Sequence, residues 1–205
     1  METELAFAFL TMLVAMILSG LLITGNKWGY KNIFCELRAR NWKKYMIVFF
    51  LIYLVAMVYS FWLLGFGYDY IALMSLITYL ISIVPEDIKE HKISTISTVV
   101  FAVIFIVLRL ITGDFYELAD GAIGFLIGGI SLGVPFLIKR EWIGIGDVLA
   151  VAVCGIILGF FGITQFLIRT FAFIVVYSIV LMIRKKASLK TELPFAPFLL
   201  IAAVI

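Results

Sequence analysis

Two aspartates carry the strongest chemical signal in this chain. Asp87 closes an apolar run and begins Asp87-Ile88-Lys89-Glu90-His91-Lys92-Ile93, while Asp147 ends Gly144-Ile145-Gly146-Asp147 and opens another apolar run. Two carboxylates at one depth on neighbouring helices can form a dyad. Within a few Å of each other both cannot stay ionised, so one keeps a proton while the other, as a base, activates water for attack on a peptide carbonyl. That chemistry requires neither metal nor thiol. The inventory suits it: Cys35 and Cys154 stand alone and His91 is the single histidine, so no Cys-rich zinc module or disulfide scaffold can be built, and no metal or other cofactor is expected. By itself Gly-x-Gly-Asp is a weak signal, because a loop entering a helix with Asp as its cap reads the same way. Gly144 and Gly146 are expected to give a turn with unrestricted φ and room for a substrate strand.

The elements that must hold these carboxylates follow from composition. Of 205 residues 64% are hydrophobic and 14% charged, with a mean hydropathy of +1.18. Soluble domains carry about 45–50% apolar and about 25% charged residues, so a soluble globule is excluded, as are disorder and a coiled coil. Apolar segments near the roughly 20 residues that cross about 30 Å of hydrocarbon recur at about 4–25, 45–65, 69–86, 94–112, 119–138, 147–162, 164–183 and, shorter, 194–205. The expected fold is an all-α integral membrane protein: one domain over 1–205, a polytopic bundle of about seven to eight transmembrane helices. The last segment is too short to cross, so it is a half-span or re-entrant element, or its helix begins before Pro194.

Charge placement orients the bundle. Met1-Glu2-Thr3-Glu4 puts acids where a secretory signal needs a basic region, so the first run reads as a retained span with the N-terminus outside. The loops at 26–44, 87–93, 139–146 and 184–193 then hold all Lys and Arg residues of the 16 except Arg109 and Arg169, while Asp69, Asp114, Glu117 and Asp120 mark the opposite side. This is the positive-inside pattern of a multi-pass protein of the cytoplasmic membrane. It sets both Asp87 and Asp147 at the cytoplasmic boundary. A formal charge of +3 gives no reason to invoke nucleic acid. Trp28, Tyr30, Phe34 and Trp42 among the six basic residues of loop 26–44 read as an amphipathic segment on an anionic membrane surface.

Three Gly-x-x-x-Gly pairs, Gly124/Gly128, Gly129/Gly133 and Gly155/Gly159, predict close helix packing. Arg109 is expected to snorkel to the outer interface, and Arg169 to pair with an acid or line a polar interior. Cys154 reads as a small packing residue, and His91, between Glu90 and Lys92, as surface rather than ligand.

The Asp87 to Ile93 run, the Gly144 to Asp147 motif and Pro194-Phe195-Ala196-Pro197-Phe198 together resemble, in order, the three landmarks of the type IV prepilin peptidases. With the archaeal preflagellin peptidases, these belong to the GxGD intramembrane aspartyl proteases. The resemblance covers a core of about 69–200. It implies that Asp87 and Asp147 are the catalytic pair, that Gly144, Gly146, Pro194, Phe195 and Pro197 shape the site, and that the partner is a pilin-like precursor. That precursor would be cut on the cytoplasmic side between a basic leader and its hydrophobic helix. Glu86, Glu90 and Glu141 are then candidates to attract the leader. Pro194 and Pro197 cannot continue a helical ladder, which is expected to free the carbonyls of Lys190 and Leu193; the alternative is Pro194 as first residue of a helix. The chain departs from the family at Ser94, where Pro is usual, at Leu149, where Lys is common, and at Ala196, where Gly is usual. Only Cys35 lies in 26–44, so the zinc module linked to N-methylation in bifunctional members is absent, which argues against methyltransferase activity.

Two alternatives remain at this stage. One is another GxGD protease, presenilin-like, although the Pro-Ala-Leu motif of that group is missing. The other is a non-enzymatic ion-coupled transporter or scaffold using Asp87 and Asp147, for which related halves and broken midplane helices are expected and no internal repeat is seen. The oligomeric state is not legible in the sequence.

Overall fold

A computed structural model describes residues 13–14, 51, 53–59, 61–62, 64–65, 67–93, 95–111, 114–139, 143–184 and 193–204. The expected span 4–25, save Leu13 and Val14, and the basic loop 26–44 lie outside them. The chain divides into two compact units, 1–83 and 84–205. In the first unit residues 53–59 are helical, with Tyr53, Ala56 and Met57 buried.

Five helices have defined bounds: α1 (Tyr68–Glu90), α2 (Thr95–Ile111), α3 (Phe115–Ile138), α4 (Ile145–Ile183) and α5 (Ala196–Val204). The described residues form an all-helical membrane protein, in which α1, α3 and α4 are long and apolar enough to cross a bilayer and α2 is shorter. Their hydroxyls are satisfied locally: Ser75, Thr78, Ser82, Ser131, Thr164, Thr170 and Ser178 donate to carbonyls three or four residues earlier in their own helices. An apolar surround offers such groups no water, so this back-bonding removes a desolvation cost.

Local chemistry sets the helix ends. α1 continues through Pro85 and stops at His91, whose φ of 50° is left-handed and whose N–H donates to the Asp87 carbonyl at 3.0 Å; this is a helix-ending αL cap. α3 starts from Asp114, whose carboxylate accepts the Tyr116 N–H at 3.0 Å, and Glu117 in its first turn complements the helix dipole.

The second unit, 84–205, is built around α3 packed antiparallel on the start of α4. A methyl group on Gly124 would overlap the Gly155 carbonyl, one on Gly155 would overlap the Gly124 backbone, and one on Gly128 would sit 2.6 Å from the Val151 carbonyl. Gly129 and Gly133 differ: a methyl there would meet Ala152 and Val148 side chains at ordinary distances of 3.5 and 3.7 Å. Two of the three glycine pairs therefore let backbones approach, and the third flanks the contact.

α4 is two helices in series. Gly159, at φ 67° and ψ −171°, interrupts it, leaving a first arm (145–158) and a second arm (160–183). On a straight helix Tyr177 would stand about 45 Å beyond Asp147. Instead its ring lies 5.3 Å from that of Phe198, two residues from Ala196, whose N–H is bonded to Asp87. Asp87 in turn is within Coulombic range of Asp147. The second arm thus returns toward the end where the first begins. The expected break between 162 and 164 falls at Gly159 instead.

Arg109 overturns its expectation. It is 4% exposed and bonded to Glu117, Asp120 and two α4 carbonyls rather than extended to an interface. Among the described residues Arg169 pairs with no acid; it donates to the Gln165 side chain at 3.2 Å. Cys154 is fully buried. α5 has 9 residues, about 13 Å of helix, so it has the length of a half-span and does not begin before Pro194.

Candidate active site

Asp87 lies in the last turn of α1, buried at 4% exposure. Its Oδ2 accepts the Ala196 N–H at 2.6 Å. A helix start leaves its first N–H groups without internal partners, and here a side chain from 109 residues upstream supplies one. Phe195 is the residue from which α5 departs: its carbonyl accepts the N–H groups of Phe198 and Leu199 at 3.1 and 3.3 Å. Pro197 therefore occupies the first turn, where a missing N–H costs nothing. Pro194 is not the first helical residue; it precedes the helix by two positions. Lys190 lies outside the described residues.

Asp147 is the third residue of α4 and half-buried. Its Oδ2 accepts the Gly144 N–H at 3.2 Å, as an acid in a helix's first turn does when it reaches back to the preceding loop. The expected free φ of the motif glycines is not used. Gly144 sits at φ −75°, ψ 145°, open to any residue, and Gly146 is not left-handed either. What Gly146 provides is closeness: a methyl group there would stand 3.2 Å from the Ile93 Cβ and 3.3 Å from its carbonyl. The segment that follows Asp87 thus lies against the turn that carries Asp147.

These contacts bring Asp87, Asp147, Gly144, Gly146, Phe195 and Pro197 to one locality, with Asp147 in Coulombic range of Asp87 and Asp87 in range of His91. His91 is exposed. The depth of Asp147 is fixed by its neighbour, since Val148 lies beside Gly133; that level is five residues inside the end of α3 at Ile138, or about 7 Å. Glu86 is half-buried one residue from Asp87 and takes part in an interaction of its own. The Glu90 side chain and Glu141 are outside the described residues.

Ile93 closes the Asp87 motif and Ala196 lies in the proline motif, but the contact of Ile93 with Gly146 and the pairing of Asp87 with the Ala196 N–H are long-range and leave no local signal in the sequence.

Compared with models of known protein families, the chain matches the type IV leader peptidase family over residues 74–182. No curated protein and no solved structure matches it. The matched stretch holds both aspartates and the Gly144 to Asp147 turn, ends before Pro194, and covers more than half of the 205 residues; the chain belongs to the type IV leader peptidase family and is a peptidase of the membrane.

Proposed function

We propose that this protein is a membrane-embedded aspartyl endopeptidase. It removes the basic leader from pilin-like precursors at the cytoplasmic face of the cell membrane, with Asp87 and Asp147 as the reacting pair. The observation that carries the reading is that the two carboxyls, 60 positions apart in sequence, lie within Coulombic range of each other in a chain of this family.

One carboxyl is ionised and takes a proton from water as the oxygen attacks the scissile carbonyl; the other is protonated and gives its proton to the carbonyl oxygen. As the tetrahedral intermediate collapses, the carboxyl that took the water proton gives it to the departing peptide nitrogen and the other takes a proton from the gem-diol, so the C–N bond breaks, the C=O re-forms, and leader and mature helix are released. The pair does the acid and base work unaided, so no cofactor is required. Pro194, Phe195 and Pro197 hold α5 where its Ala196 N–H fixes Asp87, and Gly144 and Gly146 hold Asp147. Glu86, Glu90 and Glu141 attract the basic leader, and the 26–44 loop rests on anionic lipid.

The test is incubation of the detergent-purified protein with a pilin-type precursor, followed by product masses. The expected products are separated at the junction of leader and hydrophobic helix; an intact precursor, or a cut elsewhere, contradicts the proposal. Replacing Glu90 and Glu141 together by Gln raises KM for a leader rich in Lys and Arg, and an unchanged KM refutes their recruiting role.

A further inference from the structure

At the Gly159 break within α4 lies a charged cluster with no part in the peptidase chemistry above. Arg109 comes from the last turn of α2. Its Nε donates to the Ile156 carbonyl and its Nη2 to the Ile157 carbonyl, both at 3.0 Å. Its Nη1 donates to the Glu117 carbonyl at 3.2 Å and pairs with the Glu117 carboxylate. Nη2 also stands 3.5 Å from the carboxylate of Asp120, whose other oxygen accepts the Phe160 N–H at 3.0 Å.

These partners are the two raw ends of a broken helix. Ile156 and Ile157 are among the last carbonyls of the first arm, and Phe160 carries the first N–H of the second, groups that a helix end leaves without internal partners. In an apolar surround each would be costly unpaired. Between them Gly159 is buried, left-handed and covered by Asp120 so closely that any β-carbon would overlap the carboxylate. The guanidinium is suited to the place because its planar fork reaches three carbonyls and two acids at once, which an ammonium cannot.

We propose that Arg109 and Asp120 are positioning residues for the reaction: by holding the bend at Gly159 they set where the second arm returns, and thereby where α5 and Asp87 stand relative to Asp147. The coupling is contiguous. The second arm meets α5 through Tyr177 and Phe198, and α5 meets Asp87 through the Ala196 N–H. The first arm, locked to α3 by the glycine contacts, carries Asp147. The inference rests on the reading of Asp87 and Asp147 as the reacting pair.

Its test joins a distance to a rate. Nitroxide labels are attached through Ile138→Cys and Ile183→Cys, at positions 73% and 75% exposed that end α3 and the second arm; Cys35→Ser and Cys154→Ala remove the native thiols. The distance distribution is measured by pulsed electron resonance without substrate. Unlabelled protein with the same substitutions is assayed for precursor cleavage. Arg109→Lys and Asp120→Ala should broaden or lengthen the single distance of the parent and lower kcat by about 10–100-fold, as a misplacement near 1 Å does. KM should move by less than about 2-fold, because groups that bind the leader are untouched. Asp120→Asn, which keeps an oxygen for the Phe160 N–H, should restore most of both. An unchanged distance distribution, or a changed one with unchanged kcat, overturns the positioning role alone. If Asp87→Asn and Asp147→Asn stay active, the reacting pair falls and the positioning role falls with it.

Discussion

At the scale of single residues, each aspartate does two things that can be pulled apart. Asp87 accepts the Ala196 N–H and Asp147 the Gly144 N–H, so each is a helix cap as well as one of the proposed reacting groups. Asparagine caps nearly as well as aspartate but carries no exchangeable carboxyl proton, which makes it the discriminating substitution. Gly146 makes a sharper case than its sequence suggested. Its role is contact with Ile93 rather than conformational freedom, so Gly146→Ala should push the Asp87 loop away by a few tenths of an ångström. A displacement that small still lowers kcat, by about 10-fold given the sensitivity of oriented reactions to sub-ångström shifts, while Gly144→Ala, whose methyl group would press at 3.2 Å on the end of the rotatable Asp147 side chain rather than on backbone, is milder. Steady-state rates of the two variants, side by side, check the order; equal losses would contradict it.

At the scale of elements, the glycine pairs make a prediction about stability. Gly128→Ala puts a methyl group 2.6 Å from the Val151 carbonyl, whereas Gly129→Ala meets only the Ala152 side chain at 3.5 Å. Overpacking costs about 1–3 kcal/mol, so thermal unfolding in detergent should show Gly128→Ala well below the parent and Gly129→Ala close to it. Equal midpoints would mean that the α3–α4 contact is not tight. The elements were largely legible: the run 69–86 became α1, 94–112 became α2 and 119–138 became α3, each within about four residues, because charges and turn residues interrupt the apolar runs. The break in α4 was legible as an event and misplaced in position. Nothing beside Gly159 marks it above Gly155 or Gly162; what selects it is Arg109 and Asp120, supplied by α2 and α3. For the same reason Arg109 read locally as an interfacial residue, since a side chain's partners across the bundle leave no trace in its own segment.

At the scale of the whole molecule, the chain spends few charges in its spans, and those described serve structure or the site. The two motifs that carry Asp87 and Asp147 could be located from sequence. Their meeting through Ile93, Gly146 and Ala196 could not, because long-range backbone contacts have no periodic signature. A pair that needs one proton shared between two carboxyls predicts a bell-shaped dependence of kcat/KM on pH, lost at low pH when both are protonated and at high pH when both are ionised, with limbs that belong to the pair. Asp87→Asn or Asp147→Asn removes the bell together with the rate; a single-limbed profile in the parent enzyme would argue against a dyad. The most direct measurement is the precursor-cleavage rate of Asp87→Asn and Asp147→Asn beside their thermal stability in the same detergent. If the carboxyls are the reacting pair, each variant loses on the order of 10²–10⁴-fold in rate and unfolds within about 1 kcal/mol of the parent, and the double variant is no slower than either single one. If either variant cleaves the precursor at close to the parent rate, the aspartates are caps only and the account is contradicted.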